Sequence, residues 1–139
     1  MKIIKIKTYP FCINNEARIS QSIQEQLQVG FKWVFQYKEE LDAVALHVLV
    51  RYIEKESSQR IMDAGITVIA ELSDWKHKSH KNEDIVGDIE ISALISYATT
   101  FLSGYIYKGT EGTILNSSFL PLLDTNDILK ELIIEKKEA

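Results

Sequence analysis

Apolar and polar residues alternate along the first half of the chain with a period of two. Aromatic side chains fall at every second position of 31–37, and aliphatic side chains do the same in 44–53 and 66–72. This period is typical of β-strands, whose successive side chains point to opposite faces of a sheet. A lysine–isoleucine alternation at 2–7 predicts a further strand, ended by Pro10. Because short polar turns separate the three longer segments, the pattern predicts an antiparallel meander.

The second half of the chain changes to a helical period. Ile91–Tyr107 reads ISALISYATTFLSGYIY, has one apolar stripe and carries no charge. Asp88 is placed to cap its start, and Gly109 lies just past its expected end. The opposite face is small and neutral, and consists of Ser92, Ser96, Thr99, Thr100, Ser103 and Gly104. An ordinary surface helix would carry Lys and Glu there, so we expect this face to be buried in a subunit interface.

The remaining segments complete an α+β pattern. Residues 13–28 are polar and predict a loop or a short helix, while 110–123 predict an extended link. A final helix is expected from Asp124 or Thr125, with an apolar stripe at Ile128, Leu129, Leu132 and Ile133. Strands followed by helices predict one antiparallel four-stranded meander sheet with a long helix, an extended link and a C-terminal helix on one face. We expect residues 1–139 to form a single domain.

Composition narrows the function classes. The chain has a net charge of −4 and no basic stripe, which argues against a nucleic-acid partner. Cys12 is the single cysteine, so a disulfide framework is excluded and a cytoplasmic location is favoured. The N-terminus alternates lysine with isoleucine and predicts a strand instead of a signal peptide. The charge-free helix is shorter than the ~20 residues of a span and has a Ser/Thr/Gly face, so we predict no membrane span.

Neither catalytic nor metal chemistry is indicated. His77 and His80 lie in a lysine-rich segment without cysteine, which favours a solvated loop over a zinc site. His47 lies on a strand, where a hydrogen-bonded histidine is the ordinary interpretation. The chain lacks a nucleophile elbow, a phosphate-binding glycine loop and an H-E-x-x-H motif. We therefore predict a protein that is not an enzyme and needs no cofactor or metal.

Several short motifs resemble the SecB family of bacterial export chaperones, over roughly residues 29–135. The motifs are Tyr97-Ala98, Lys108-Gly109-Thr110, Ala64-Gly65-Ile66, Ile69-Ala70 and the link with Leu115 and Pro121. Three departures stand out. Ser96 replaces a usual proline, Glu111-Gly112 lengthens the link, and Ser58-Gln59-Arg60 stands where the family has a Leu-x-Glu feature associated with docking the SecA motor. The reversed charge at Arg60 argues against SecA as a partner.

The resemblance implies a homotetramer, built as a dimer of dimers, that holds unfolded polypeptide clients in apolar grooves without ATP. Candidate client-binding residues are Phe31, Trp33, Phe35, Tyr37, Trp75, Phe119 and Leu120. The alternating aromatic residues have a second interpretation, as the core beneath a helix. The other sheet face keeps Ala45, Leu49, Ile53 and Ile69 on its middle strands, which also predicts a partner or a ligand. Two other functions stay open: a dedicated binder of one partner, for example an antitoxin, and a small-molecule-binding or enzymatic α+β domain.

Overall fold

The chain forms one mixed six-stranded sheet. The computed structural model describes residues 1–10, 12–14, 27–111 and 124–138. The strands are β1 (Lys2–Thr8), β2 (Cys12–Ile13), β3 (Leu27–Tyr37), β4 (Ala43–Glu54), β5 (Arg60–Glu71) and β6 (Ile133–Lys136). Their order is β1-β5-β4-β3-β6, with β2 also paired to β5. The link predicted at 110–123 lies almost wholly outside the described residues, and so do Phe119 and Leu120.

The predicted meander is confirmed by the pairing of the three long strands. β3 pairs antiparallel with β4, and β4 pairs antiparallel with β5. The register places Phe35 opposite Leu46, and Leu46 opposite Val68, so these side chains share one face of the sheet. All three are fully buried. We call this the inner face and the opposite one the outer face.

The two edges of the sheet differ from a simple meander. β1 returns to pair antiparallel with β5, at the side of the sheet away from β3. β6 pairs in parallel with the last four residues of β3, with Val34 opposite Ile133. The sequence placed Ile133 in the C-terminal helix, and this was wrong. β-Branched isoleucines at 133 and 134 suit a strand, and the free edge of β3 supplies their backbone partners.

The helices cover the inner face. They are α1 (Asn82–Val86), α2 (Ile89–Gly109) and α3 (Thr125–Glu131), preceded by a 3-10 turn at Trp75–His77. Asp88 caps α2 as predicted, because its side chain accepts a hydrogen bond from the Glu90 amide at 2.8 Å. Gly109 lies inside α2, and the cap is Thr110, whose hydroxyl donates to the Ile106 carbonyl at 2.8 Å.

Helix α2 packs its apolar stripe against the inner face of the sheet. Its buried residues are Ile91, Leu94, Ile95, Ala98, Leu102 and Ile106. Complete burial of such side chains stabilises a domain by roughly 1.5–3 kcal/mol each. The stripe read from the sequence is therefore the helix side of the core, and the outer face of the sheet is left without a helix among the described residues.

Candidate functional site

Four of the predicted client-binding residues lie in the hydrophobic core. Trp33, Phe35, Tyr37 and Trp75 are between 0 and 7% exposed. The Trp75 ring packs against the Phe35 and Tyr37 rings in T-shaped, edge-to-face pairs, with centroids 5.6 Å apart in both. In this structure these side chains do not line an open groove, because β3 turns them toward the inner face that the helices cover. Phe31 is half-buried and stacks on Trp33 with ring centroids 5.7 Å apart, so its side chain shares the inner face, although the residue also contributes to the lining of a depression on the outer face.

A groove of about 420 Å³ lies instead on the outer face of the sheet. Leu49 is 44% exposed there, an unusual position for a large aliphatic side chain in the middle strand of a sheet. We call this depression the outer groove. Its lining includes Tyr9, Pro10, Gly30, Phe31, Lys32, Leu49, Arg51, Ile53, Asp63 and Gly65. The sequence had indicated an apolar outer face through Leu49 and Ile53.

Two glycines shape the outer groove. A Cβ atom added to Gly65 would lie 2.7 Å from Leu49 Cδ2 and 2.9 Å from Tyr9 Cδ2, so both side chains pack over the glycine. A Cβ atom added to Gly30 would meet nothing within 4 Å. Gly65 therefore lets Leu49 and Tyr9 approach the sheet, and Gly30 leaves space empty. A glycine inside a strand pattern is a sequence signal for such close approach or open space, and it could have located this site.

Shallower depressions continue the outer groove in both directions along β4. One of about 430 Å³ shares Tyr9, Lys32 and Leu49 and adds His47 and Glu135 to its lining. Another, of about 620 Å³, shares Arg51 and adds Arg60. From His47 to Ile53 the strand rises roughly 20 Å, at about 3.3 Å per residue. The outer face thus offers an open track as long as an extended segment of about six residues.

A row of hydrogen-bonded side chains crosses the sheet at one end of this track. Tyr9 Oη lies 2.7 Å from Thr67 Oγ1, and Thr67 Oγ1 lies 2.7 Å from His47 Nδ1. His47 Nε2 lies 2.8 Å from Gln36 Oε1, and Gln36 Nε2 donates to Glu135 Oε2 at 2.8 Å. A carboxylate and an amide oxygen only accept, so His47 donates through Nε2 and accepts from Thr67 through Nδ1 when it is neutral. The neutral ring satisfies every member of the row.

Protonation of His47 would reverse the direction of the hydrogen bonds that link it to Thr67 and Tyr9. Burial lowers the pKa of His47 below 6.5, as do Lys137 and Lys7, while Glu135 opposes the shift. A charged ring would have to donate from Nδ1 to Thr67, which would then have to turn its own hydrogen toward Tyr9. The hydrogen bonds of the row and the burial of the ring favour the same neutral state.

We expect the His47 row to make stability depend on pH. In an unfolded chain His47 takes up a proton as the pH falls through about 6.5, whereas in the folded chain it stays neutral until a lower pH. The stabilisation is therefore complete above about pH 6.5 and is lost as the pH falls toward the folded pKa. Urea unfolding of the chain should give a falling free energy of unfolding between about pH 7.5 and 5.5, and His47→Gln should flatten this slope. His77→Gln, at an exposed side chain, is the control. An unchanged slope in His47→Gln would refute the assignment.

Charge is concentrated at the other end of the track. Arg51 Nε lies 2.8 Å from Asp63 Oδ1, and Arg60 Nη1 lies 3.2 Å from Asp63 Oδ2. One carboxylate therefore serves two guanidinium groups. All three side chains are at least 28% exposed, so the cluster faces solvent at the rim of the groove.

The structure divides the predicted interface residues of α2 into two groups. Ser92 and Thr99 are half-buried, whereas Ser96 is exposed and lies 3.4 Å from the Thr125 hydroxyl at the start of α3. Thr100, Ser103 and Gly104 are exposed, together with Tyr97 and Tyr107 at 40% and 53%. Thr100 Oγ1 donates to the Ser96 carbonyl at 3.0 Å, which satisfies its hydroxyl within the helix. The open side of α2 is thus uncharged from Ala93 to Tyr107.

Helix α2 is long and apolar enough to cross a membrane by length and composition alone. Core helices meet the same criterion, and here six residues of α2 are buried in the core. Within the described residues, no group of three or more His, Cys, Asp and Glu side chains could hold a metal ion.

No protein-family model matches the chain, and no curated protein matches it. Among solved structures it is similar to the SecB-like chaperone Rv1957 of Mycobacterium tuberculosis, solved in complex with a ChAD peptide from the Rv1956 HigA1 antitoxin. The TM-score is 0.59 at 13% identity, and the match covers 88% of this chain and 89% of that one.

The sheet and the helices that cover its inner face therefore define a SecB-like α+β fold. The resemblance read from the sequence is confirmed at the level of the fold.

Proposed function

We propose that the chain is a chaperone of the holdase type, which binds non-native polypeptide segments in the outer groove without ATP. The observation that carries the proposal is the open, largely apolar track on the outer face of a SecB-like sheet. Leu49 is exposed at its centre, and Tyr9 and Ile53 border it. Apolar contact is non-directional, so a groove of this kind accepts many unrelated sequences.

A functional assembly of several chains is part of the proposal. The uncharged, exposed side of α2 supports a homotetramer, or at least a dimer, in which these helices meet. We propose a cytoplasmic location and no catalytic reaction. A link to protein export rests on the sequence resemblance, and the charge of Arg60 argues against SecA as its motor.

The test is the aggregation of a denatured client protein, followed by light scattering, with and without the chain. We expect equimolar protein to suppress scattering in the absence of ATP. An equal amount of an unrelated acidic protein of similar size serves as control. Undiminished scattering at a stoichiometric excess of the chain would overturn the holdase proposal.

A second candidate function is the dedicated binding of one partner. It is favoured by the solved neighbour Rv1957, which is in complex with a peptide from an antitoxin. A dedicated binder would hold one partner tightly and fail to suppress aggregation of unrelated clients. Parallel measurement of both activities therefore separates the two candidates.

A further inference from the structure

The outer face of the sheet carries a charge opposite in sign to that of the whole chain. The chain has a net charge of −4. Among the outward register positions of the described strands, six are cationic and three are acidic. The cationic residues are Lys2, Lys5, Lys7, Lys32, Arg51 and Arg60. The acidic residues are Asp63, Glu71 and Glu135. The acidic surplus of the chain therefore lies elsewhere.

The carboxylates of this face do not neutralise the cations that border the outer groove. Asp63 is shared between Arg51 and Arg60, which leaves one positive charge in excess at that end. At the other end, Lys32 and Lys7 have no carboxylate within 4.0 Å among the described residues, although the Gln36 hydrogen bond and the charge of Lys32 both help to lower the pKa of Glu135, so that this one carboxylate faces three lysines, Lys7, Lys32 and Lys137. Glu135 accepts a hydrogen bond from Gln36 and lies 3.6 Å from Lys137. Among the side chains that the structure describes, both ends of the apolar track thus carry a surplus of positive charge.

On the basis of the proposed function, we infer that the outer groove selects apolar polypeptide segments that are flanked by acidic residues. The apolar centre around Leu49 would hold the apolar part of the segment. The flanking carboxylates would reach Lys32 and Lys7 at one end and the Arg51–Arg60 pair at the other. Asp63 already takes the Nε and Nη2 donors of Arg51, so a flanking carboxylate would meet the remaining guanidinium N–H groups of Arg51 and Arg60. The apolar centre offers nothing to a phosphate backbone, which favours a polypeptide over a nucleic acid.

The experiment compares three labelled peptides by fluorescence anisotropy with the full chain. All three share one apolar core of eight residues and differ only in flanks of three Glu, three Ser or three Lys at each end. Each exposed ion pair adds modestly to affinity and several act together, so we expect the Glu-flanked peptide to bind at least about tenfold more tightly than the Lys-flanked one at low salt. The ratio should shrink in about 0.5 M salt, because exposed charges are screened.

A pair of charge-reversal variants locates the effect. Lys32→Glu should reduce the preference for acidic flanks severalfold, whereas Lys81→Glu makes the same change at an exposed position away from the groove and should leave it intact. Equal binding of all three peptides would overturn this inference and leave the holdase proposal standing. Binding of none of them would overturn both. Displacement of the Glu-flanked peptide by an oligonucleotide at equal or lower concentration would also overturn it, in favour of an anion site.

Discussion

Replacing Gly30 with leucine is expected to reduce peptide binding by more than about tenfold while it stabilises the fold. A Cβ atom at this position meets nothing within 4 Å, so a side chain can start there without a clash, and the rest of a leucine would extend into the outer groove. The groove would lose part of its 420 Å³ to the new side chain. Glycine in a strand costs about 0.5–1 kcal/mol in backbone entropy, so its removal should raise the free energy of unfolding. A substitution that damaged the fold would lower both peptide binding and the free energy of unfolding. Here we expect binding to fall and the free energy of unfolding to rise.

A graded series makes this result sharper. Gly30→Ala, Gly30→Val and Gly30→Leu should weaken binding of an apolar peptide in the order of side-chain size, measured by anisotropy. Gly104→Ala is the matched control, because Gly104 also has nothing within 4 Å but lies on α2, on the other side of the sheet. Because Gly104 belongs to the proposed α2 interface, this control is read on peptide affinity per chain, which should be unchanged. Wild-type affinity in Gly30→Leu would place the peptide site elsewhere.

The elements that were predicted correctly are those with a clear hydrophobic periodicity. The alternation on β3, β4 and β5 was confirmed because hydrophobic burial on one face fixes the register of a sheet. The stripe of α2 was confirmed for the same reason, with a different period. β6 was missed because a four-residue strand contains too little pattern to compete with a helical continuation. Its pairing is decided by the free edge of β3, which lies about a hundred residues away in the sequence.

The candidate site was harder to predict than the fold. The predicted client-binding residues were mainly large aromatic side chains, and Trp33, Phe35 and Trp75 lie in the core of the structure. The outer groove is defined by missing side chains at Gly30 and Gly65, and by charges whose pairing depends on cross-strand register. Arg51 and Asp63 are twelve residues apart in sequence and become neighbours only through the β4–β5 ladder. Composition and alternation identify a face of the sheet, but they do not show where that face is hollow.

The second large effect is expected on the assembly of chains, from a substitution on the exposed side of α2. Thr100→Glu is expected to break the helix interface, which gives dimers from a tetramer or single chains from a dimer, because an unpaired charge buried between helices costs several kcal/mol, about 3–5. Thr100 is exposed in the single chain, and its hydroxyl bonds to the Ser96 carbonyl within its own helix. The glutamate should therefore be tolerated by the isolated fold. Sedimentation velocity at micromolar concentration measures the mass, and circular dichroism confirms that the variant folds.

Thr100→Val is the matched control for this assembly. Valine keeps the shape of threonine, and it removes a hydroxyl that donates to the Ser96 carbonyl within the same helix. The assembly should survive the change. If Thr100→Glu retains the wild-type mass, these helices do not form the interface, and a wild-type chain that stays monomeric would rule out the assembly itself. Since the outer groove lies within one chain and on the opposite face of the sheet, the dissociated Thr100→Glu variant should still bind a single peptide. Its ability to suppress aggregation should fall further than its peptide affinity, because one long client can bridge several grooves only in the assembly.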